Sequence, residues 1–190
     1  MEYKLREAMA EYGRKLVISG LVQGTWGNLS VRLDDRYMLV TPSGLAYERL
    51  GPEDMVKVEI QNLSYEGDLK PTSEKGLHAE IYKSRADVKA VIHTHSKYCC
   101  VFAAANKAMP VLEEYSEALG GAVNLAEYAL PGTKTLAGNT VKALGGNFGA
   151  IMANHGMVAC GADIETAFEN CIKMEENGRR YLLEGEEPSK

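Results

Sequence analysis

The chain has 190 residues, of which 45% are apolar and 25% are charged, an ordinary composition for one domain with a sizeable core. Its 21 basic residues against 26 acidic ones give a net charge of -5, so neither nucleic acid nor an anionic membrane is expected as a partner. The first predicted helix is charged where a secretion signal would be apolar, and no apolar stretch approaches the roughly 20 residues of a membrane span. We therefore expect a cytoplasmic protein.

The sequence contains no repeat, low-complexity tract or linker that would divide it. We predict one domain over residues 1–183 and a short acidic tail over residues 184–190. The apolar residues of 3–19 recur near helical spacing, and Gly20 can close this first helix. Residues 29–33 and 37–40 predict a hairpin and residues 55–60 a further strand, so this half is expected to be antiparallel.

The second half alternates predicted helices with predicted strands. Helices are expected over residues 74–84, 96–105, 133–144 and 164–183. Strands are expected over residues 88–95, 150–153 and 157–160. This order predicts an α/β protein with a mixed sheet and helices packed on it.

The histidines are informative because the chain has only 4 of them. His93 and His95 end an apolar run, and residues i and i+2 of a strand point to the same face, so both imidazoles can reach one metal ion. His155 follows another apolar run, where Gly156 is expected to let the backbone turn sharply. A set of three histidines suits Zn²⁺ or another borderline divalent ion and leaves the open position of a catalytic site. The alternative is three unrelated polar histidines.

Three segments rich in glycine and small hydroxyl residues lie at element boundaries, namely residues 24–28, 41–44 and 71–74. Each could present N–H groups or hydroxyls to an anion, although each taken singly is more often a turn or helix N-cap signal. Thr72 and Ser73 precede a predicted helix, whose N-terminus is a phosphate site that requires no lysine.

Glu74 and His78 are four residues apart on that predicted helix and project together from it. Beside a divalent cation, Glu74 could ligate the metal in the empty site and act as a general base once substrate displaces it. Its alternative role is to interact with the helix dipole. His78 lies near Ile81 and Tyr82 on the core side, and we predict a hydrogen-bonded structural histidine rather than a fourth ligand.

Five segments in this order resemble the class II aldolase/adducin family and extend over nearly the whole chain. They are residues 23–30, 40–44, 71–78, 91–95 and 154–156. The resemblance implies a three-layer α/β/α single domain with a mixed, largely antiparallel central sheet. It also implies a small sugar phosphate as substrate, one Zn²⁺ per subunit with another divalent ion as the alternative, and a homotetramer with active sites between subunits.

The resemblance assigns roles to individual residues. His93, His95 and His155 match the zinc ligands of the family, and Glu74 matches the acid that ligates zinc at rest and acts as catalytic base. Tyr115 resembles a further catalytic tyrosine, one position later than in the family pattern. The expected phosphate pocket consists of Gly27, Asn28, Ser43, Gly44, Thr72 and Ser73.

The implied reaction is the reversible cleavage of a ketose 1-phosphate to dihydroxyacetone phosphate and a short aldehyde. Zinc would stabilise the charge that develops on the carbonyl oxygen, and the phosphate pocket would hold the non-reacting end. Pentulose-phosphate 4-epimerases and a methylthioribulose-phosphate dehydratase share the metal site, but Glu74 favours the aldolase because the epimerases have aspartate there. The retained histidines speak against a non-catalytic adducin-like interaction module.

Overall fold

The computed structural model describes residues 1–185. Its first half contains helix α1 (Glu2–Ile18) and strands β1 (Asn28–Arg32), β2 (Tyr37–Val40) and β3 (Val56–Glu59). Strand β2 pairs antiparallel with both β1 and β3. The predicted helix, hairpin and third strand are therefore confirmed, each with its ends shifted by no more than about one residue, as is usual for element boundaries.

The second half contains five helices and four strands. They are α2 (Lys75–Ser84), β4 (Ala90–Thr94), α3 (Lys97–Ala105), α4 (Glu113–Leu119), β5 (Asn124–Ala126), α5 (Lys134–Leu144), β6 (Gly149–Met152), β7 (Gly156–Gly161) and α6 (Ile164–Glu184). Sequence periodicity missed α4 and β5, because elements of 7 and 3 residues are too short to show a period. The predicted tail begins inside α6, and residues 186–190 lie outside the described part of the chain.

Seven strands form one sheet in the order β3-β2-β1-β4-β7-β6-β5. Every neighbouring pair is antiparallel except β5 and β6, which are parallel. The predicted mixed and largely antiparallel sheet is confirmed. Strand β4 lies at the centre of the sheet, so residues at its end can meet residues from both neighbouring strands.

Helices cover both faces of the sheet. Leu29 and Ile92 belong to a buried core that is shared with α1, α3 and α6. On the opposite face, Val91 packs in a second core with Leu77 of α2 and Leu136 of α5. Neighbouring residues of β4 therefore point to different cores, as the alternation of a strand requires. The predicted three layers are confirmed, and no helix between residues 1 and 185 has the length and apolar character of a membrane span.

Candidate metal centre and active site

One end of the sheet carries the histidines. His93 lies near the C-terminal end of β4, paired with Asn28 of β1 on one side and with Val158 of β7 on the other. His95 follows just beyond β4, and His155 lies in the turn between β6 and β7. Because β4 is antiparallel to both neighbours, its C-terminal end meets the N-terminal ends of β1 and β7. The topology therefore gathers residues that are distant in the sequence.

The three imidazoles converge on one another. Their ring centroids are separated by 4.7 to 5.0 Å. One nitrogen from each ring lies within 4.8 Å of the other two, and Nε2 of His93 is 3.0 Å from Nε2 of His95. The structure thus brings together His93, His95 and His155, in an arrangement that could hold a metal ion.

The protonation of these rings suits a metal. Nδ1 of the fully buried His93 donates to the carbonyl oxygen of Met157 at 2.8 Å, which turns the Nε2 lone pair towards the cluster. Burial lowers the pKa of His93 to about 3, and burial also lowers the pKa of His95. Both rings are therefore neutral near pH 7, which is the form that binds metal ions.

Glu74 directly precedes α2 and is 7% exposed. Its Oε2 lies 3.2 Å from Nε2 of His93, and its Oε1 lies 3.5 Å from Nε2 of His155. Burial acts to raise the pKa of Glu74, but these two imidazoles and a hydrogen bond from Asn28 lower it below its ordinary value. Near pH 7 a carboxylate therefore faces the histidines, and among the described residues its Oε1 has no hydrogen-bond partner.

Gly156 allows the histidines to approach one another. A Cβ at this position would lie 2.5 Å from the carbonyl oxygen of Thr94 and 2.8 Å from the ring of His95, closer than side chains can pack. The prediction that Gly156 supplies the sharp turn is wrong, because the positive φ of 53° belongs to Asn154. The glycine is required for space rather than for backbone conformation.

The three segments predicted to bind phosphate meet at this same end of the sheet. The N–H of Thr72 donates to the carbonyl oxygen of Thr41 at 3.0 Å, and the N–H of Ser43 donates to that of Lys70 at 2.8 Å. Gly27, with a φ of 88°, leads into β1 and lies against the backbone of the central strand. The loops after β2 and before α2 are thus joined beside the histidine cluster.

The side chains in these segments differ in what they contact. Ser43, Gly44 and Ser73 are exposed. Thr72 is buried, and its Oγ1 accepts a hydrogen bond from the backbone N–H two residues later. Asn28 is also buried, and its amide Nδ2 donates a hydrogen bond to Oε2 of Glu74. The exposed members are accessible to a ligand, whereas Thr72 and Asn28 also support the local structure.

Tyr115 lies on α4 and packs against the core on the side of α6. Arg180 donates a hydrogen bond to its hydroxyl at 3.3 Å and lies 5.9 Å from its ring centroid. The described contacts of Tyr115 therefore involve the last helix, and its catalytic role stays a prediction.

A small cavity of about 120 Å³ lies beside the histidine cluster. Trp26, His95 and Lys97 contribute to its lining, and the indole of Trp26 is 6.2 Å from the ring of His95. The sequence suggested only a turn at Trp26, which is 64% exposed. A tryptophan directly before Gly27 was the available signal, but spacing alone does not reveal its proximity to His95.

The prediction of a structural role for His78 is confirmed. The ring is fully buried on α2, with Nε2 2.5 Å from Oδ1 of Asn28 and Nδ1 2.6 Å from Oγ of Ser30. Sequence analysis placed Tyr82 near His78 but assigned no role to Tyr82 or to Ser30, whose hydroxyls are 2.7 Å apart. Ser30 lies two residues after Asn28 on a strand, and Tyr82 lies four residues after His78 on a helix. These spacings were the available signal.

His78 is expected to make the stability of the metal-free protein depend on pH. Burial lowers its pKa from 6.5 to about 4, so both the folded and the unfolded chain hold it neutral above about pH 6.5. Between these values only the unfolded chain takes up the proton, so the free energy of unfolding falls as the pH falls, by a total of about 3 kcal/mol. Urea unfolding from pH 7.5 to 4 measures this dependence, with His78→Gln as the control. Equal pH dependence in both proteins would contradict the prediction.

The family model of the class II aldolase and adducin N-terminal domain matches residues 7–182. The chain belongs to the class II aldolase and adducin family. A solved structure of L-fuculose 1-phosphate aldolase has a TM-score of 0.90 with it at 35% identity, covering 96% of this chain and 86% of that one.

Two curated proteins that are similar to this chain have different named activities. A 5-deoxy-D-ribulose 1-phosphate aldolase from Bacillus thuringiensis serovar kurstaki is 35% identical over 166 residues, which are 87% of this chain and 78% of the relative. A 3-oxo-tetronate 4-phosphate decarboxylase from Haemophilus influenzae is 32% identical over 188 residues, which are 95% and 89% of the two chains. The predicted family, fold class and enzyme class are confirmed: the chain is a metal-dependent lyase of the class II aldolase type.

Proposed function

We propose that this enzyme reversibly cleaves a ketose 1-phosphate, such as L-fuculose 1-phosphate or a 5-deoxypentulose 1-phosphate, to dihydroxyacetone phosphate and a short aldehyde. The observation that carries the proposal is the buried Glu74 carboxylate, 3.2 Å from His93 and 3.5 Å from His155. Glu74 lies where the segments that we propose to bind phosphate converge. The aldolase activities named for two similar proteins support the same reaction.

The donor set at this site fits a zinc ion. We assign His93, His95 and His155 as its ligands and Glu74 as the acid that completes the set in the resting enzyme. Three imidazole nitrogens within 4.8 Å of one another, beside one carboxylate, are donors that Zn²⁺ prefers. The Glu74 oxygen without a hydrogen-bond partner in residues 1–185 is also consistent with a cation at this position. A bound divalent cation supplies Lewis-acid stabilisation of the charge that develops on the substrate carbonyl oxygen.

The residues of the chain then position the substrate and transfer a proton at its carbon 3. Gly27, Asn28, Ser43, Gly44, Thr72 and Ser73 form the proposed pocket for the phosphate. Cleavage breaks the bond between carbons 3 and 4: the hydroxyl on carbon 4 releases its proton to solvent and becomes the aldehyde carbonyl, and the electron pair of the broken bond moves towards the carbonyl at carbon 2. Glu74 donates the proton that carbon 3 gains, and in the reverse direction it removes that proton. Tyr115 is proposed as a second catalytic residue.

Removal of the substrate phosphate is expected to lower kcat/KM by about 10²-fold or more, because remote binding energy supports positioning at the reacting carbons. Cleavage of a ketose 1-phosphate and of the free ketose is measured with the zinc-loaded enzyme. Ser73→Ala should reduce the rate only with the phosphorylated substrate. Similar kcat/KM values for the two substrates would show that the pocket does not recognise phosphate.

The same metal site would also suit an epimerase, a dehydratase or a decarboxylase, and one screen of substrates distinguishes these activities from the aldolase. Ketose 1-phosphates, pentulose 5-phosphates, methylthioribulose 1-phosphate and 3-oxo-tetronate 4-phosphate are incubated with the zinc-loaded enzyme. Released dihydroxyacetone phosphate, epimerised sugar, dehydrated sugar and carbon dioxide are measured separately. The proposal requires dihydroxyacetone phosphate from a ketose 1-phosphate to be the fastest product. If epimerisation, dehydration or decarboxylation is the fastest reaction, the proposed aldolase activity is wrong and the enzyme has the corresponding other activity.

We further propose a homotetramer with active sites between subunits, located in the cytoplasm where charged sugar phosphates are retained. Exposed apolar side chains in the loop before α5, including Tyr128 at 54% and Leu130 at 64%, support contact with another subunit. Light scattering combined with size-exclusion chromatography measures the mass in solution, and a monomer would contradict this arrangement.

A further inference from the structure

A line of buried polar side chains runs from Glu74 between β1 and α2. Asn28 and Ser30 share one face of the strand, and His78 and Tyr82 follow Glu74 at intervals of four residues along the helix. All five residues are at most 7% exposed. Buried polar groups are costly unless they are hydrogen-bonded, so five adjacent ones indicate a connected network.

The network is continuous from the carboxylate to the phenol. Nδ2 of Asn28 donates to Oε2 of Glu74 at 3.0 Å, and Oδ1 of the same amide is 2.5 Å from Nε2 of His78. On the other side of that ring, Nδ1 is 2.6 Å from Oγ of Ser30. The Ser30 hydroxyl in turn lies 2.7 Å from that of Tyr82.

The chemistry of the groups sets the direction of every hydrogen bond. A carboxylate only accepts, so Asn28 must offer its amino group to Glu74 and its carbonyl oxygen to His78. The His78 proton is therefore on Nε2, and Nδ1 of the neutral ring accepts from the hydroxyl of Ser30. The Ser30 oxygen then accepts from Tyr82. In each of the four hydrogen bonds, the donor is therefore the group farther from the Glu74 carboxylate and the acceptor is the group nearer to it.

This one-way chain makes the two oxygens of Glu74 unequal. Oε2 is held by Asn28, whereas Oε1 lies 3.5 Å from Nε2 of His155 and has no hydrogen-bond donor among residues 1–185. We propose that His78 and Ser30 are positioning residues that orient Asn28, and through it Glu74, so that Oε1 is the oxygen that transfers the proton. The inference rests on the proposed function of Glu74.

Two substitutions of His78 test the chain in the zinc-loaded enzyme. His78→Leu removes the donor to Asn28, so kcat is expected to fall about 10- to 100-fold, while KM and metal content stay nearly unchanged. His78→Gln places an amide N–H where the ring has Nε2–H and should restore kcat to within about threefold of wild type. If the role of His78 were only structural, His78→Leu would instead reduce the fraction of protein that is folded. Equal kcat losses in the two variants, or a change confined to KM, would overturn the proposal.

A second variant covers the case in which His78→Leu does not fold. Ser30→Ala removes the donor to Nδ1 and leaves His78 in place, so the preference for a proton on Nε2 should weaken and kcat should fall by a similar factor. Wild-type kcat in folded Ser30→Ala protein would contradict the proposed direction of the chain.

The protonation of His78 can be observed without any substrate. Long-range ¹H–¹⁵N spectra of the zinc-loaded wild-type protein should show His78 protonated on Nε2 alone, and a proton on Nδ1 would overturn the proposal. This measurement also separates the two hypotheses. Absence of cleavage by the wild type would refute the proposed function, while the spectrum still tests the hydrogen-bond chain.

Discussion

Glu74→Gln is expected to lower the rate of ketose 1-phosphate cleavage by about 10²- to 10⁴-fold, while the protein keeps its metal. Glutamine preserves the shape of the side chain and still offers an oxygen to the amide of Asn28, which donates to Oε2 in the wild type. A neutral amide cannot exchange protons near pH 7, so the chemical step is lost whereas the three histidines still hold the ion. Steady-state kinetics and elemental analysis of the same preparation measure the two effects.

Exchange of the C3 proton of dihydroxyacetone phosphate with deuterated water isolates the role of Glu74. This exchange requires the base but no aldehyde, so it should be slowed in Glu74→Gln as strongly as cleavage is. The matched control is Glu74→Asp, which retains a carboxylate on a shorter side chain and should keep part of the exchange activity. If exchange proceeds at the wild-type rate in the glutamine variant, the proton transfer belongs to another group, with Tyr115 the next candidate.

Replacement of both His93 and His95 by alanine is expected to remove the metal and abolish cleavage. The wild type should contain about one divalent ion per chain, and the double variant should contain almost none, because His155 and Glu74 cannot bind it tightly by themselves. The fold should persist, because a catalytic metal contributes less to folding than a structural one. Elemental analysis and circular dichroism of both proteins provide the measurements.

Metal-free wild-type protein is the control for the double variant. Added zinc should restore cleavage in this control and should have no effect on the His93→Ala, His95→Ala protein. Unchanged metal content in the folded double variant would refute the ligand assignment. Loss of the fold in both metal-free proteins would instead assign the ion a structural role.

The amino-acid sequence by itself determined most of the elements and the chemical character of the site. Long periodic segments such as α1, the β1–β2 hairpin and α6 were predictable because each satisfies a local repeat of apolar residues. The separation of two residues between His93 and His95 also encodes chelation locally, since alternate strand residues share a face. Short elements such as α4 and β5 were not predictable, because packing rather than local periodicity stabilises them.

Only the tertiary structure decided which distant residues meet. The antiparallel pairing of β4 with β1 and β7 brings His93 beside Asn28 and near His155, because register is a long-range property of the sheet. The close packing of Gly156 against the histidines likewise appears only when two chain segments meet. The direction of the hydrogen bonds that end at Glu74 depends on groups from both β1 and α2. Such contacts follow from burial of polar groups between layers, which no local pattern of residues specifies.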